Sequence, residues 1–151
     1  MDILVLGRQE AEWRSPRITA AHIWISISEP GWAPPNLAPN TQRLATLDLW
    51  FHDITEPRVG YDLMSVEQAR DITGFVTTWK DKVSLIVVNC EAGISRSAGV
   101  AAALDRWLNQ QDRFSADPHY FPNAHVLRLL CREVVPPDWS PIDVPTRANI
   151  L

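Results

Sequence analysis

Short apolar segments bounded by turn residues predict four β-strands in this chain. The segments DILVLG (2–7) and AHIWISIS (21–28) are rich in Ile, Val, Leu and Trp, and a glycine or a Pro-Gly pair follows or ends each of them. The alternation of Leu and Phe with polar or mixed positions in RLATLDLWF (43–51) predicts a third strand. The run KVSLIVV (82–88) is short and β-branched, which is typical of a central strand covered on both faces.

Helical spacing of apolar residues predicts three helices in the second half of the chain. Ser65 followed by Gln68 has the pattern of a capping box, and the apolar residues after it recur on one face, so a helix is predicted over about 65–80. From Ser97, SAGVAAALDRWLNQ predicts a helix whose small residues allow close approach to a sheet. A last helix is predicted to begin near Pro122, with proline at its first position, and to run through NAHVLRLLCREV.

Strands interleaved with helices predict an α/β protein of three layers. We expect a mostly parallel central sheet of four to five strands flanked by helices. A length of 151 residues fits one domain, predicted over 1–135, and the proline-rich end, 136–151, is expected to pack on it or drape over it. The segment EPGWAPPNLAPN (29–40) holds too many prolines for a regular element and is predicted to be a surface loop.

Composition and charge narrow the classes of partner. A formal net charge of -4, with acidic and basic residues mixed along the chain, gives no broad basic surface for a nucleic acid or an anionic membrane. Cys90 and Cys131 are the only cysteines, which is too few for a disulfide-built secreted domain. The sequence shows no signal-peptide pattern and no apolar run of about 20 residues. We therefore expect a cytoplasmic protein, and we expect it to be monomeric.

The stretch IVVNCEAGISRS (86–97) places a cysteine between a predicted strand and a predicted helix. Backbone N–H groups at a helix start lack intrahelical acceptors and carry partial positive charge, so a tight loop there can bind a tetrahedral anion. Gly93 allows the turn, and the guanidinium of Arg96 can hold two phosphate oxygens at once. The same positive field favours the nucleophilic thiolate of Cys90, and Ser97 can donate a hydrogen bond to the sulfur. We call residues 90–96 the anion-binding loop.

In this loop the chain resembles the cysteine-based protein tyrosine and dual-specificity phosphatases, whose signature is H-C-x-x-G-x-x-R-[ST]. NCEAGISRS matches that signature at Cys90, Gly93, Arg96 and Ser97, and AGISRSAG is close to the small dual-specificity-like bacterial type. The resemblance extends over about 40–135 and includes PNAHVLRLL, which looks like a Pro-Asn helix found in small bacterial members. The low-molecular-weight tyrosine phosphatases, with a cysteine near the N-terminus, fit poorly.

The resemblance implies roles for the residues of the loop. Cys90 would be the nucleophile, Arg96 would clamp the phosphate, and Ser97 would assist the departing sulfur. The predicted phosphate-binding residues are Glu91, Ala92, Gly93, Ile94, Ser95 and Arg96. No metal or other cofactor is expected, because Arg96 and the backbone amides supply the positive charge. The chain departs from the signature at Asn89, where the family has histidine.

The resemblance also implies a general acid, an aspartate on a loop a few tens of residues before the cysteine. Asp53, in WFHDITEP, follows a predicted strand and is our candidate for this acid. Asp62 lies closer to the next helix and is the alternative. In the implied mechanism Asp53 protonates the leaving oxygen and then activates the water that hydrolyses a phosphocysteine.

These features predict a metal-independent phosphatase acting on phosphotyrosine, and also on phosphoserine or phosphothreonine. One alternative is a phosphatase of a non-protein phosphate, either a phosphoinositide or an RNA 5′-phosphate. Another is a catalytically weak phosphate-binding pseudophosphatase, which the asparagine at position 89 motivates. The expected partner is a phosphorylated protein or another phosphomonoester, with neither a stable nucleic-acid partner nor a membrane.

Overall fold

The computed structural model describes residues 1–141, which form a four-stranded, all-parallel sheet with helices on both faces. The strand order is β1-β4-β2-β3. The strands are β1 (Asp2–Leu6), β2 (His22–Ser28), β3 (Arg43–Trp50) and β4 (Leu85–Asn89). The helices are α1 (Arg8–Arg14), α2 (Val66–Trp79), α3 (Arg96–Asn109), α4 (Arg113–Ala116) and α5 (Ala124–Val134). The predicted three-layer α/β fold is confirmed.

The two central strands, β2 and β4, have apolar residues at successive positions because both faces of the sheet are covered there. On one face of the sheet Val87 packs with Trp24 and with Ala11 of α1, and on the other face Ile86 and Val88 join the large core formed with α2, α3 and α5. A strand that is covered on both faces carries apolar residues at successive positions. The strand β3 lies at the sheet edge, and its alternating pattern of partly buried and exposed residues fits that place.

Parallel strands bring their carboxyl ends to a single edge of the sheet. The residues that directly follow β1, β2, β3 and β4 are Gly7, Glu29, Phe51 and Cys90. In such sheets ligands bind at this edge, where the connecting loops meet. All four residues take part in the site described below.

The helix starts follow from identifiable caps. Ser65 and Gln68 form the predicted capping box of α2, with reciprocal bonds of 3.1 Å and 3.0 Å. The prediction that Pro122 is the first residue of α5 is wrong: Asn123 caps the helix, and its Oδ1 accepts from the N–H groups of His125 and Val126. An asparagine side chain satisfies two otherwise unpaired N–H groups there, which a proline ring cannot do.

The short helix α4 is not predicted from the sequence, because it is one turn long, with Asp112 as its cap, and its first residue Arg113 is bound by Asp105 of α3. Asp105 is fully buried at the end of α3 and accepts hydrogen bonds from Arg113 and Asn109. Burial by itself would raise the pKa of Asp105, but the hydrogen bonds from Arg113 and Asn109 outweigh it and hold that pKa below its usual range.

The predicted C-terminal extension is described only as far as residue 141. Within that part the indole of Trp139 donates to the carbonyl of Arg106 at 3.1 Å, and the Arg106 guanidinium lies over its ring. Residues 142–151 of the predicted extension lie outside the described residues. None of the described helices has both the length and the apolar character needed to cross a bilayer.

Candidate active site

The anion-binding loop runs from the end of β4 into the first turn of α3, as the sequence predicts. Ser95 stands at the cap position of α3, and among the described residues no side chain caps that helix. Its first N–H groups are therefore free to face a ligand in the loop. The helix carries ten successive buried residues from its first position, so its start is held rigidly against the sheet.

Cys90 lies inside this loop with its sulfur held by two groups. The side chain is buried, with 2% exposure. The N–H of Gly93 donates to Sγ at 3.3 Å, and the hydroxyl of Ser97 lies 3.0 Å from Sγ, within hydrogen-bond distance. Donors at these distances stabilise negative charge on sulfur. The structure thus brings Ser97 to the sulfur, at the place that its expected role requires.

Gly93 is required at its position for two separate reasons. Its φ of +71° lies in the left-handed region, and a Cβ built there would lie 2.4 Å from the backbone nitrogen of Gly7 and 2.6 Å from the carbonyl carbon of Leu6. The turn after β1 therefore presses directly on the anion-binding loop. Sequence reasoning identified the need for a tight turn but not this close contact with the end of another strand.

Arg96 is buried and held on two of its three nitrogens. Its Nη1 donates to the carbonyl of Phe51 at 2.8 Å, and its Nη2 pairs with Oε1 of Glu29 at 2.6 Å. The third nitrogen, Nε, is buried and has no hydrogen-bond partner among the described residues. A buried donor without an acceptor costs about 1–3 kcal/mol, and an oxyanion bound in the loop would remove that cost.

Glu29 was not identified from the sequence, because it lies at the start of the proline-rich loop 29–40, where no motif marks it. The available signal was its place as the first residue after a central parallel strand, at the edge where ligands bind. Its carboxylate fixes the direction of the Arg96 guanidinium.

Asp53 is tied to the anion-binding loop, as expected of a residue that acts there. Its Oδ1 accepts from the hydroxyl of Ser95 at 2.7 Å and from Nδ2 of Asn123 at 2.8 Å. Asn123 also donates to the carbonyl of Ile54, so one side chain holds the loop that carries Asp53 and caps α5. The side chain of Asp53 stays exposed to solvent, where a substrate can reach it.

Asp62 is placed differently. Its backbone N–H donates to Nδ1 of His52, and its backbone carbonyl accepts from the N–H of His52, both at 2.8 Å. Asp62 lines a cleft with Trp50 and Gln68, away from the contacts that join Asp53 to the loop. The structure brings Asp53 to the anion-binding loop, and no described contact does so for Asp62.

The remaining loop residues face outward or support neighbouring segments. Glu91 accepts a backbone hydrogen bond from Arg8 at 3.0 Å and lies 3.9 Å from its guanidinium, whereas Ala92 is exposed. The carbonyl of Ile94 accepts from the N–H of Phe121 at 3.0 Å. The outer side of the loop forms one wall of a cleft of about 920 Å³, whose opposite wall includes α1.

Cys131, the other cysteine, lies on α5 in a different environment. Burial raises the pKa of its thiol above the ordinary value, although the nearby Arg106 acts in the opposite direction. Among residues 1–141, no group of three or more His, Cys, Asp or Glu side chains is arranged to hold a metal ion.

The chain is similar to known proteins in structure. No protein-family model and no curated protein matches the sequence. The human tyrosine phosphatase-like serine/threonine/tyrosine-interacting protein has a similar structure, with a TM-score of 0.59, 19% identity, and coverage of 87% of this chain and 89% of that chain. Human DUSP28 gives a TM-score of 0.59 at 15% identity, covering 86% of this chain and 89% of that one. PTPMT1 in complex with PI(5)P gives 0.54 at 14% identity, covering 87% and 88%. The chain therefore has the fold of the cysteine-based protein tyrosine and dual-specificity phosphatases, which its residues around Cys90 resemble.

Proposed function

We propose that this protein is a metal-independent phosphomonoesterase that acts through a phosphocysteine intermediate on phosphotyrosine, and also on phosphoserine or phosphothreonine. The observation that carries the proposal is the buried Nε of Arg96, in the anion-binding loop that holds the Cys90 sulfur, which has no hydrogen-bond acceptor among residues 1–141. A phosphoryl group bound in the loop would supply that acceptor. The backbone N–H groups at the start of α3 would bind its remaining oxygens.

In the first step the Cys90 thiolate attacks phosphorus, the sulfur–phosphorus bond forms, and the ester oxygen leaves. Asp53, bonded to Ser95 and Asn123, gives its proton to that oxygen. In the second step a water molecule attacks phosphorus, Asp53 takes its proton, and the sulfur–phosphorus bond breaks. The Ser97 hydroxyl, 3.0 Å from the sulfur, donates to the departing thiolate.

The charge of the anion-binding loop itself supports a phosphoprotein as the substrate. Glu91 is paired with Arg8 and Ala92 is uncharged, so the outer loop offers no further cation for a highly anionic substrate. The similar structure of PTPMT1, solved with PI(5)P, is the observation that favours the second candidate, a phosphoinositide phosphatase. A phosphate-binding module of weak activity is the candidate from another class, because Asn89 departs from the signature. We propose that the protein acts as a monomer in the cytoplasm.

The experiment compares hydrolysis of p-nitrophenyl phosphate by the wild type, Cys90→Ser and Cys131→Ser at pH values from about 5 to 8. The wild type and Cys131→Ser should turn over, and Cys90→Ser should not. Absence of cysteine-dependent turnover across this range would reject both enzyme candidates. If turnover does depend on Cys90, comparing hydrolysis of a phosphotyrosine peptide with that of PI(5)P in vesicles decides the substrate class.

The binding-module candidate is tested with inorganic phosphate. Phosphate at about 100 times its Kd should stabilise a protein with one site by about 2.7 kcal/mol, which raises Tm. A rise in the wild type and in Cys90→Ser that is lost in Arg96→Met, without turnover, would favour binding alone. No rise in any of them would show that the loop does not bind phosphate.

A further inference from the structure

Asn89, the residue directly before Cys90, is held by a tryptophan of the neighbouring strand. The indole Nε1 of Trp24 donates to Oδ1 of Asn89 at 2.8 Å. Both side chains are buried, with 0% and 1% exposure. Trp24 pairs in register with Val87, two residues before Asn89, so the two side chains lie on the same face of adjacent parallel strands.

This bond fixes which way the Asn89 amide points. An indole N–H can only donate, so the amide atom that faces Trp24 has to be the oxygen. The amide nitrogen then faces the other way, and Nδ2 lies 3.5 Å from the carbonyl oxygen of Cys90, at the outer limit of a hydrogen bond. A rotation of the amide by half a turn would leave the indole without an acceptor and bring two oxygens together at Cys90.

The orientation matters because the Asn89 amide faces the backbone carbonyl of the nucleophile. The N–H of Cys90 donates to the carbonyl of Leu6 at 3.3 Å, and its carbonyl faces the Asn89 amide. With the carbonyl held on that side, it is kept away from the N–H groups that face the sulfur, such as that of Gly93. A carbonyl oxygen turned into the loop would repel both the thiolate and a bound anion.

We propose that Trp24 is a positioning residue for the nucleophile: its indole N–H orients the Asn89 amide, which in turn fixes the peptide group of Cys90. Trp24 does not touch the substrate. Its indole N–H fixes the orientation of the Asn89 amide, at the position where the phosphatase signature has histidine. The kinetic consequence rests on the proposed function, whereas the effect on the reactivity of Cys90 does not.

A double-mutant cycle tests the proposal. Trp24→Phe keeps a buried aromatic ring and removes the N–H, and Asn89→Leu removes the amide at similar volume. Each should lower kcat by about tenfold with little change in KM, less than the hundredfold expected for a reacting group misplaced by about 1 Å. The double variant should be no slower than either single variant, because both changes break one link. Trp79→Phe, a partly buried tryptophan outside the site, is the matched control and should leave kcat unchanged.

The same variants are tested without any substrate, by the rate at which iodoacetamide alkylates Cys90. Trp24→Phe should slow this reaction about tenfold, and adding Asn89→Leu should slow it no further. Slow alkylation of Cys131, whose pKa is raised by burial, gives an internal reference in each sample. Effects that multiply in the double variant, or wild-type reactivity in Trp24→Phe, would overturn the proposal even if the protein proved to have no phosphatase activity.

If Trp24→Phe does not fold, Asn89→Asp decides the question. An aspartate keeps the shape and an oxygen for the indole N–H, but places a second oxygen toward the Cys90 carbonyl in place of the NH2 group. Alkylation of Cys90 should slow by at least about tenfold relative to the wild type. Wild-type reactivity in Asn89→Asp would show that the amide orientation does not act on the nucleophile.

Discussion

The close contact between Gly93 and the end of β1 gives a prediction that can be worked out in free energy. In Gly93→Ala the new methyl group would lie 2.4 Å from the nitrogen of Gly7 and 2.6 Å from the carbonyl carbon of Leu6, both backbone atoms. A left-handed φ costs a residue with a Cβ about 1–2 kcal/mol. Forcing the methyl group into packed backbone costs about 1–3 kcal/mol more. The lower conformational entropy of the unfolded alanine variant offsets about 0.4–1 kcal/mol of this destabilisation.

Gly93→Ala should therefore lower the free energy of unfolding by about 1–5 kcal/mol. Urea titration followed by circular dichroism measures this change. For a slope of about 2 kcal/mol per molar urea, the midpoint should fall by about 0.5–2.5 M. Hydrolysis of an aryl phosphate should also slow, because the contact can be relieved only by moving the anion-binding loop or the turn after β1.

Gly74→Ala is the matched control, since it makes the same chemical change at an exposed position of a helix. Among residues 1–141, no heavy atom outside the neighbouring backbone of α2 lies within 4 Å of the Cβ position at Gly74, in the interior of that helix. This variant should gain about 0.5–1 kcal/mol in the free energy of unfolding and keep full activity. A midpoint for Gly93→Ala that is unchanged, or raised as in Gly74→Ala, would refute the described packing of the loop against β1.

Two further predictions concern acidic residues. Asp53→Ala should slow hydrolysis of a phosphate ester with a poor leaving group by about 10²–10⁴-fold and slow hydrolysis of an ester with a good leaving group much less. The rate of Asp62→Ala should not depend on the leaving group in this way. The reverse pattern would make Asp62 the general acid. For Asp105, whose folded-state pKa lies below its unfolded value of about 3.9, the stabilisation is complete above that pH and is lost as pH falls through the folded pKa. Asp105→Asn should thus have a free energy of unfolding about 1–3 kcal/mol lower than that of the wild type at neutral pH. In urea titrations this difference should shrink below about pH 4. A difference that does not change with pH would contradict the ion pair with Arg113.

Features that depend on neighbouring residues in the chain were predictable from the sequence. The β-branched run before Cys90, the Ser65–Gln68 box and the spacing of Cys90 from Arg96 are local patterns with direct physical meaning. These patterns were sufficient to predict the layer architecture and the position of the anion-binding loop between β4 and α3. The predicted start of α5 at Pro122 is wrong because Asn123, the next residue, is the better helix cap.

Contacts between residues distant in sequence were beyond these patterns. The pair of Glu29 with Arg96 joins positions 67 residues apart, and the bond from Asn123 to Asp53 spans 70. Glu29 reaches Arg96 because parallel strands bring their carboxyl ends to one edge of the sheet. Asn123 reaches Asp53 from the start of α5, and no local periodicity in the sequence marks either contact. The role of Trp24 was equally hidden, since a tryptophan in an apolar strand is typical of a core and only its register with β4 places its N–H at Asn89.

Detection of a phosphoryl group on Cys90 during turnover tests the proposed mechanism most directly. Turnover of an aryl phosphate is quenched in acid within the first reaction cycle, and the peptide that contains Cys90 is analysed by mass spectrometry. The Cys90 peptide of the wild type should carry the mass of one phosphoryl group, and the corresponding peptide of Cys90→Ser should carry none. Hydrolysis that persists in Cys90→Ser, or a phosphoryl group found on another residue during turnover, would contradict it.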